Sequence, residues 1–139
     1  MPQHITFAMI KPNTVKEGHV GDVISMIEHH GFSIRAIKLT QLTFEEACSF
    51  YQEHREKSFY VSMCQSMTSG PVVAMTLQKE NAVQDFRQLI GHTNPSEASA
   101  GTIRAKYGKT IESNAIHGSD AQEAAVTETK FFFPEISFA

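Results

Sequence analysis

The stretch PVVAMTL at residues 71–77 is almost continuously apolar. A run of this length without alternating polar residues indicates a strand that is buried on both faces, in the interior of a sheet. The segment ITFAMI at residues 5–10 has the same character and ends at Lys11, followed by a proline. A third strand is predicted between Phe32 and Leu42. These segments predict a sheet as the centre of the fold.

Three segments have the 3.6-residue periodicity of amphipathic helices that cover a sheet. They are HVGDVISMIEHHG at 19–31, TFEEACSFYQEH at 43–54 and NAVQDFRQLIG at 81–91. The second begins with a capping box of Thr43 and Glu46, and its predicted inward face includes Phe44. The order of strands and helices predicts an α+β sandwich of antiparallel sheet and covering helices, in a single domain over residues 1–139.

The composition excludes several classes of protein. A net charge of -3 gives nonspecific nucleic-acid binding no strong electrostatic driver. No run approaches the roughly 20 apolar residues of a membrane span, and no P-loop motif is present. Cys48 and Cys64 have neither metal-ligand nor redox spacing, and the first residues lack the features of an export signal. We therefore expect a cytoplasmic protein with no membrane or specific nucleic-acid partner.

The segment SNAIHGSD at 113–120 places His117 among small residues. Gly118 can adopt backbone angles that other residues avoid. Asp120 and Glu123 have the spacing of a capping box, so a helix is predicted to begin there, with His117 just before its N-terminus. Unpaired N–H groups at a helix N-terminus favour anions. A histidine beside an anion site indicates phosphate chemistry.

Other polar residues fit the same chemistry. Arg87 borders the inward face of its helix, and a guanidinium fork matches phosphate oxygens, although pairing with a carboxylate is an alternative. Lys11 stands at the carboxyl end of the first strand, where a lone lysine is more commonly solvated. The residues from Gly91 to Asp120 are predicted to form a long loop, and loops of this length in a compact domain are commonly functional.

Together these residues resemble the nucleoside diphosphate kinase family, from about Ile5 to Pro134. NAIHGSD at 114–120 matches the family signature N-x-x-H-G-S-D, and GHTNPSEASAGTIR at 91–104 matches its neighbouring segment. The resemblance implies a ferredoxin-like βαββαβ fold. It also implies ping-pong transfer of the γ-phosphoryl group from a nucleoside triphosphate to a nucleoside diphosphate, in both ribo and deoxyribo forms.

The resemblance assigns roles to individual residues. It makes His117 the nucleophile that becomes phosphohistidine, with Glu128 on the other imidazole nitrogen and Ser119 supporting that contact. Tyr51 matches a residue near the transferred phosphate, His54 a β-phosphate contact and Phe59 the residue that stacks on the base. The remaining phosphate and ribose contacts match Lys11, Arg87, Thr93, Arg104 and Asn114. Mg²⁺ is implied as a cofactor held mainly by the nucleotide phosphates, with few direct protein ligands.

The sequence departs from the family pattern in two places. Ser58 stands where the family commonly has proline before the stacking phenylalanine. The carboxyl-terminal extension of eukaryotic members is missing, which makes the chain resemble the short bacterial type and leaves a homo-oligomer of either four or six copies. Two other functions are alternatives. A nucleotide-binding regulator without turnover would lack His117, and an RNA-binding module would show aromatics on the 71–77 strand and a basic face.

Overall fold

A four-stranded antiparallel sheet forms the centre of the fold, which we describe from a computed structural model over residues 4–136. The ends of the predicted domain, residues 1–3 and 137–139, lie outside this range. The strands are β1 (Ile5–Ile10), β2 (Ser33–Thr40), β3 (Val72–Gln78) and β4 (Ile116–Gly118), in the spatial order β2-β3-β1-β4. β1 is buried throughout and β3 is buried up to Gln78. The two continuous apolar runs are therefore interior strands, as predicted.

Helices cover both faces of this sheet. They are α1 (Pro12–Lys16), α2 (Val20–His29), α3 (Phe44–Phe50), α4 (Tyr60–Met67), α5 (Ala82–Ile90), α6 (Ile103–Tyr107) and α7 (Gln122–Phe132). Alternate residues of β1 face two separate cores: Ala8 and Ile10 pack with α2 and α5, whereas Phe7 and Met9 pack with α3, α4 and α7. This double coverage explains why the central strands show no polar alternation. The predicted α+β, ferredoxin-like βαββαβ order is confirmed.

The helix α3 begins as its sequence predicts but buries less than expected. Thr43 Oγ1 accepts a hydrogen bond from the Glu46 backbone N–H at 3.0 Å, and Glu46 Oε1 accepts one from the Thr43 N–H at 2.9 Å, which completes the capping box. Ala47 and Tyr51 are buried, but Phe44 is 44% exposed. The prediction that Phe44 faces inward was wrong, because the buried face of α3 is narrower than its apolar pattern.

The segment from Gly91 to Asp120, predicted as a loop, contains regular structure. A short 3₁₀ helix spans Pro95–Glu97, and both α6 and β4 lie within the segment. β4 pairs with the middle strand β1, with His117 opposite Met9. The histidine is therefore held by the sheet and not by a mobile connection.

A helix follows His117 as predicted, but the capping box predicted at Asp120 and Glu123 was wrong. α7 begins at Gln122, and its N-cap is Ala121, which makes no side-chain capping bond. His117 lies inside β4, and Ser119, Asp120 and Ala121 separate that strand from the first residue of α7. Gly118 has no positive φ angle; an added Cβ would instead lie 3.0 Å from side-chain atoms of Phe86 and Ile90. Close packing of α5 on β4, and not backbone freedom, explains why a glycine is needed at position 118.

Across residues 4–136, the helices are too short or too polar to span a membrane.

Candidate active site

One cleft of 550 Å³ gathers nearly all the predicted site residues. It draws side chains from the end of β1, the α3–α4 hairpin, α5, α6, β4 and α7. Of the predicted set, only Ser119 does not line the cleft. The predicted residues that line it are Lys11, Tyr51, His54, Phe59, Arg87, Thr93, Arg104, Asn114, His117 and Glu128.

His117 and Glu128 form a hydrogen-bonded pair within this cleft. His117 Nε2 lies 2.9 Å from Glu128 Oε1, and both side chains are mostly buried. Ser119 Oγ donates to the same carboxylate oxygen at 2.6 Å, and it accepts from the Phe7 backbone N–H at 3.3 Å. A carboxylate can only accept from Nε2, so it favours the tautomer that carries the proton there. Within residues 4–136 no hydrogen bond engages Nδ1, whose lone pair is left available.

Aromatic rings restrict the position of the imidazole. The rings of Phe50 and Tyr51 meet that of His117 edge-on, at centroid distances of 5.3 and 5.8 Å. The Tyr51 hydroxyl is buried without a hydrogen-bond partner. Burial, followed by the negative charge of Glu128, raises the pKa of Tyr51 above its ordinary value. The phenol therefore stays protonated and can donate to a ligand.

Three cationic side chains converge on the cleft. Lys11 is only 7% exposed, and burial, reinforced by the charge of Arg104 and opposed by that of Glu112, lowers the pKa of Lys11 to about 7. Burial and the neighbouring Arg87 lower the pKa of Arg104 to about 10. Like charges brought together in a partly enclosed cleft indicate an anion site. The alternative that Lys11 is a solvated strand end was wrong.

Backbone contacts fix the orientation of the polar residues behind this site. Arg104 donates from Nη1 to the Gly91 carbonyl at 3.0 Å and from Nη2 to the Ile116 carbonyl at 2.8 Å. Asn114 Nδ2 donates to the Thr93 carbonyl at 3.0 Å. Yet Arg104 Nε and Asn114 Oδ1 are buried without a partner, like the Tyr51 hydroxyl. Buried polar atoms without partners are uncommon in folded proteins, and three around one cleft indicate groups reserved for a ligand or water.

Apolar side chains lie at the mouth of the cleft. Phe59 is the N-cap residue of α4 and is 42% exposed; Ile111, from the segment between α6 and β4, is 57% exposed. The Phe59 ring also lies 5.9 Å from that of His54. Such an exposed apolar pair is consistent with contact to a flat ring.

Sequence reasoning missed several residues that line the cleft: Glu53, Met63, Ile111, Glu112 and Asp120. The sequence predicts Asp120 only as part of a helix cap. The position of Glu53 beside His54 was an available signal for one of them. Ile111 and Glu112 carried no signal, because their segment showed no periodicity. Among residues 4–136, no group of three or more His, Cys, Asp or Glu side chains is arranged to hold a metal ion.

Comparisons with known proteins agree with this geometry. The family model described as nucleoside diphosphate kinase matches residues 4–138. A nucleoside diphosphate kinase of Flavobacterium psychrophilum is 50% identical over 133 residues, covering 96% of each chain. One from Campylobacter fetus is 50% identical over 128 residues, covering 92% of this chain and 93% of the relative.

Solved structures show the same similarity at the level of the fold. The nucleoside diphosphate kinase of Aquifex aeolicus superposes with a TM-score of 0.92 at 38% identity, covering 94% of each chain. The halophilic enzyme of Halobacterium salinarum, solved in complex with CDP, has a TM-score of 0.90 at 37% identity and covers 94% of this chain and 88% of that one.

Fold, cleft and relatives together define the class of the protein, a phosphotransferase that acts on nucleotides. Within that class, the chain belongs to the nucleoside diphosphate kinase family. The family predicted from the sequence is confirmed.

Proposed function

We propose that this chain transfers the γ-phosphoryl group of a nucleoside triphosphate to a nucleoside diphosphate through phosphorylated His117. The observation that carries the proposal is the imidazole itself, whose Nε2 is hydrogen-bonded to Glu128 while Nδ1 stays unengaged in a cationic cleft. Such an arrangement suits a nucleophilic histidine, because the carboxylate on Nε2 sets the tautomer and leaves the lone pair of Nδ1 free to attack.

The reaction takes two steps. Nδ1 of His117 attacks the γ-phosphorus, an N–P bond forms, and the bond from that phosphorus to the β,γ-bridging oxygen breaks and releases the diphosphate. A terminal oxygen of the incoming diphosphate then attacks the same phosphorus and breaks the N–P bond. Positive charge develops on the imidazole in the first step, and the Glu128 carboxylate, steadied by Ser119, stabilises it.

The charged residues of the cleft suit the polyphosphate chain. Arg87, Arg104 and Lys11 would neutralise phosphate charge, and the protonated Tyr51 hydroxyl would donate to the transferred group. His54 and Thr93 would each contact the phosphates, while Lys11 and Asn114 would reach the ribose hydroxyls. The similar enzyme of Halobacterium salinarum, solved in complex with CDP, supports binding of a nucleoside diphosphate by this chain.

The donor set of the cleft fits magnesium that arrives with the nucleotide. Its carboxylates, such as those of Glu53 and Asp120, line the cleft without forming a metal-binding group, and magnesium commonly keeps several waters and binds through substrate phosphates. These two carboxylates would accept hydrogen bonds from such waters. When bound, the ion would neutralise charge on the phosphate oxygens.

The base would stack on Phe59. Every base has a π-face, so this contact tolerates all common bases and contributes about 1–3 kcal/mol. The exposed ring at the cleft mouth supports this role. The same proposal includes ribo and deoxyribo substrates, because stacking does not involve the 2′-hydroxyl and both sugars offer a 3′-hydroxyl to Lys11 and Asn114.

Domain organisation, assembly and cellular compartment are part of the same proposal. Residues 1–139 would form one domain, because both cores share the same sheet. The domain would assemble into a homo-oligomer of four or six copies, with the uncovered edge strand β2 as a contact surface. The free thiols Cys48 and Cys64 fit a reducing compartment such as the cytoplasm.

Brief exposure to γ-labelled ATP tests the proposed chemistry. We expect one phosphohistidine, at His117, that is stable to alkali, lost in acid and discharged by an unlabelled nucleoside diphosphate. His117→Ala should abolish labelling but retain nucleotide binding, and the exposed control His29→Ala should label normally. Label on serine, or label that an acceptor does not remove, would contradict the mechanism.

A further inference from the structure

A hydrogen bond connects two separate walls of the cleft at its mouth. Ser62 Oγ donates to Glu112 Oε2 at 2.7 Å, joining residues 50 positions apart in the sequence. One partner lies on α4 and the other on the segment between α6 and β4. Both side chains are exposed, so the bond can break and re-form without unfolding the core.

On the first wall, Ser62 is mechanically coupled to Phe59. Phe59 caps α4, and its carbonyl accepts a hydrogen bond from the Met63 N–H at 2.9 Å. Ser62 therefore lies in the first turn of the helix that begins at the exposed ring. Tyr60 anchors this first turn to α3, because its hydroxyl donates to the Cys48 carbonyl at 2.6 Å. The hydrogen bond of Ser62 adds a tie from the same turn to the opposite wall of the cleft.

On the second wall, Glu112 directly follows the exposed Ile111. Its segment is stiffened locally, because the Lys109 N–H donates to the Ser113 carbonyl at 2.9 Å and the Ser113 N–H donates to Thr110 Oγ1 at 3.0 Å. A contact at Glu112 thus constrains the position of Ile111.

We propose that the Ser62–Glu112 hydrogen bond is a clasp that holds Phe59 and Ile111 at a fixed separation and so shapes a slot for the nucleobase. Ser62 and Glu112 are then positioning residues, since they act through the two apolar side chains and need not touch the ligand. This proposal depends on the proposed function in one respect only, that the ligand carries a nucleobase. Its loss leaves the phosphate site intact and loosens the slot.

Glu112 can affect ligand binding in a second way, through its charge, because this carboxylate acts electrostatically on Lys11. Substitutions separate the two effects. Glu112→Gln removes the charge and keeps an oxygen that can accept from Ser62. Glu112→Ala removes both, and Ser62→Ala removes the hydrogen bond while keeping the charge. Ser66→Ala, a serine further along α4, is the matched control.

The test measures binding of ADP and of inorganic pyrophosphate, which lacks a base, together with the dissociation rate of ADP. Ser62→Ala and Glu112→Ala should each weaken ADP binding by about two- to fivefold, the range for an exposed hydrogen bond, mainly through faster dissociation. Pyrophosphate binding should not change in Ser62→Ala, and in Glu112→Ala it should change no more than in Glu112→Gln. Glu112→Gln and Ser66→Ala should stay within about twofold of the parent protein.

The double variant Ser62→Ala/Glu112→Ala provides the coupling measurement. A clasp predicts that it binds ADP no more weakly than either single variant, because each already breaks the bond. Additive losses, equal effects of Glu112→Gln and Glu112→Ala, or equal losses for pyrophosphate would each overturn the clasp. Binding requires no turnover, so absence of phosphohistidine in the parent protein would count against the transfer chemistry alone.

Discussion

Lys11 illustrates how the surroundings of a single residue set its chemistry. The strand β1 carries it into the interior, and α1 begins immediately after it. Within residues 4–136 its ammonium makes no hydrogen bond or ion pair, and burial is the main reason that its pKa falls to about 7. The ligand-free protein thus holds a group whose charged form is destabilised until an anion arrives.

This arrangement predicts a pH-dependent stability. Lysine in the unfolded chain keeps its ordinary pKa of 10.5, so between about pH 7 and pH 10.5 the unfolded state binds more protons and Lys11 makes stability rise with pH. Below about pH 7 the full penalty of burying the charge is present. Lys11→Met removes that penalty and should stabilise the ligand-free protein by about 1–3 kcal/mol at pH 6, less than the whole pKa shift implies because water enters the cleft.

Urea unfolding at pH 6, 8 and 9.5 measures this effect. The stabilisation by Lys11→Met should shrink as the pH rises, while the exposed control Lys57→Met should show no such trend. A stability difference independent of pH would mean that the lysine is solvated. The same substitution should weaken nucleotide binding, so stability and function change in opposite directions.

At the scale of elements, β4 and α7 together form the hydrogen-bonded pair of His117 and Glu128, the proposed catalytic pair. β4 holds His117 in register with β1, and α7 brings Glu128 back to it across the following turn. Glu128→Gln keeps an oxygen that can accept from Nε2 but loses the charge that stabilises the imidazolium. We expect the fold to persist and the single-turnover rate of His117 phosphorylation to fall by about 10-fold or more.

The comparison that isolates this effect is Glu123→Gln, an exposed charge on the same helix. It should leave the phosphorylation rate unchanged. An unaltered rate in Glu128→Gln at neutral pH would show that its carboxylate only orients the ring.

The same elements show what the sequence could and could not predict. The sequence predicts four elements well, because each is long enough for its periodicity or apolar run to be recognised. They are β1, β3, α2 and α5. β4 spans three residues and α6 five, which is too short for any period to show. The site residues were predicted from the resemblance to the family along the chain, but Ile111 and Glu112 became visible only when folding brought α4 beside their segment.

At the scale of the whole molecule, the sheet has an edge that the described helices leave open. β2 is one of the two outer strands, and its Ile37 and Leu39 are 47% and 66% exposed. They lie opposite the buried Met75 and Val73 of β3, so they extend the face of an internal core to the surface. An exposed apolar edge strand invites pairing or aggregation unless another surface covers it. We expect another copy of the chain to cover it.

Leu39→Glu tests this expectation. A charge at the centre of a contact between copies should shift the protein from the proposed tetramer or hexamer toward smaller species, and thermal stability should become lower and more dependent on protein concentration. Light scattering coupled to size-exclusion chromatography measures the mass directly. Phe44→Glu, which places the same charge at another exposed apolar site, should retain the parent assembly. A monomeric parent protein would refute the oligomer itself, whereas an unchanged mass in Leu39→Glu would locate the contact away from β2.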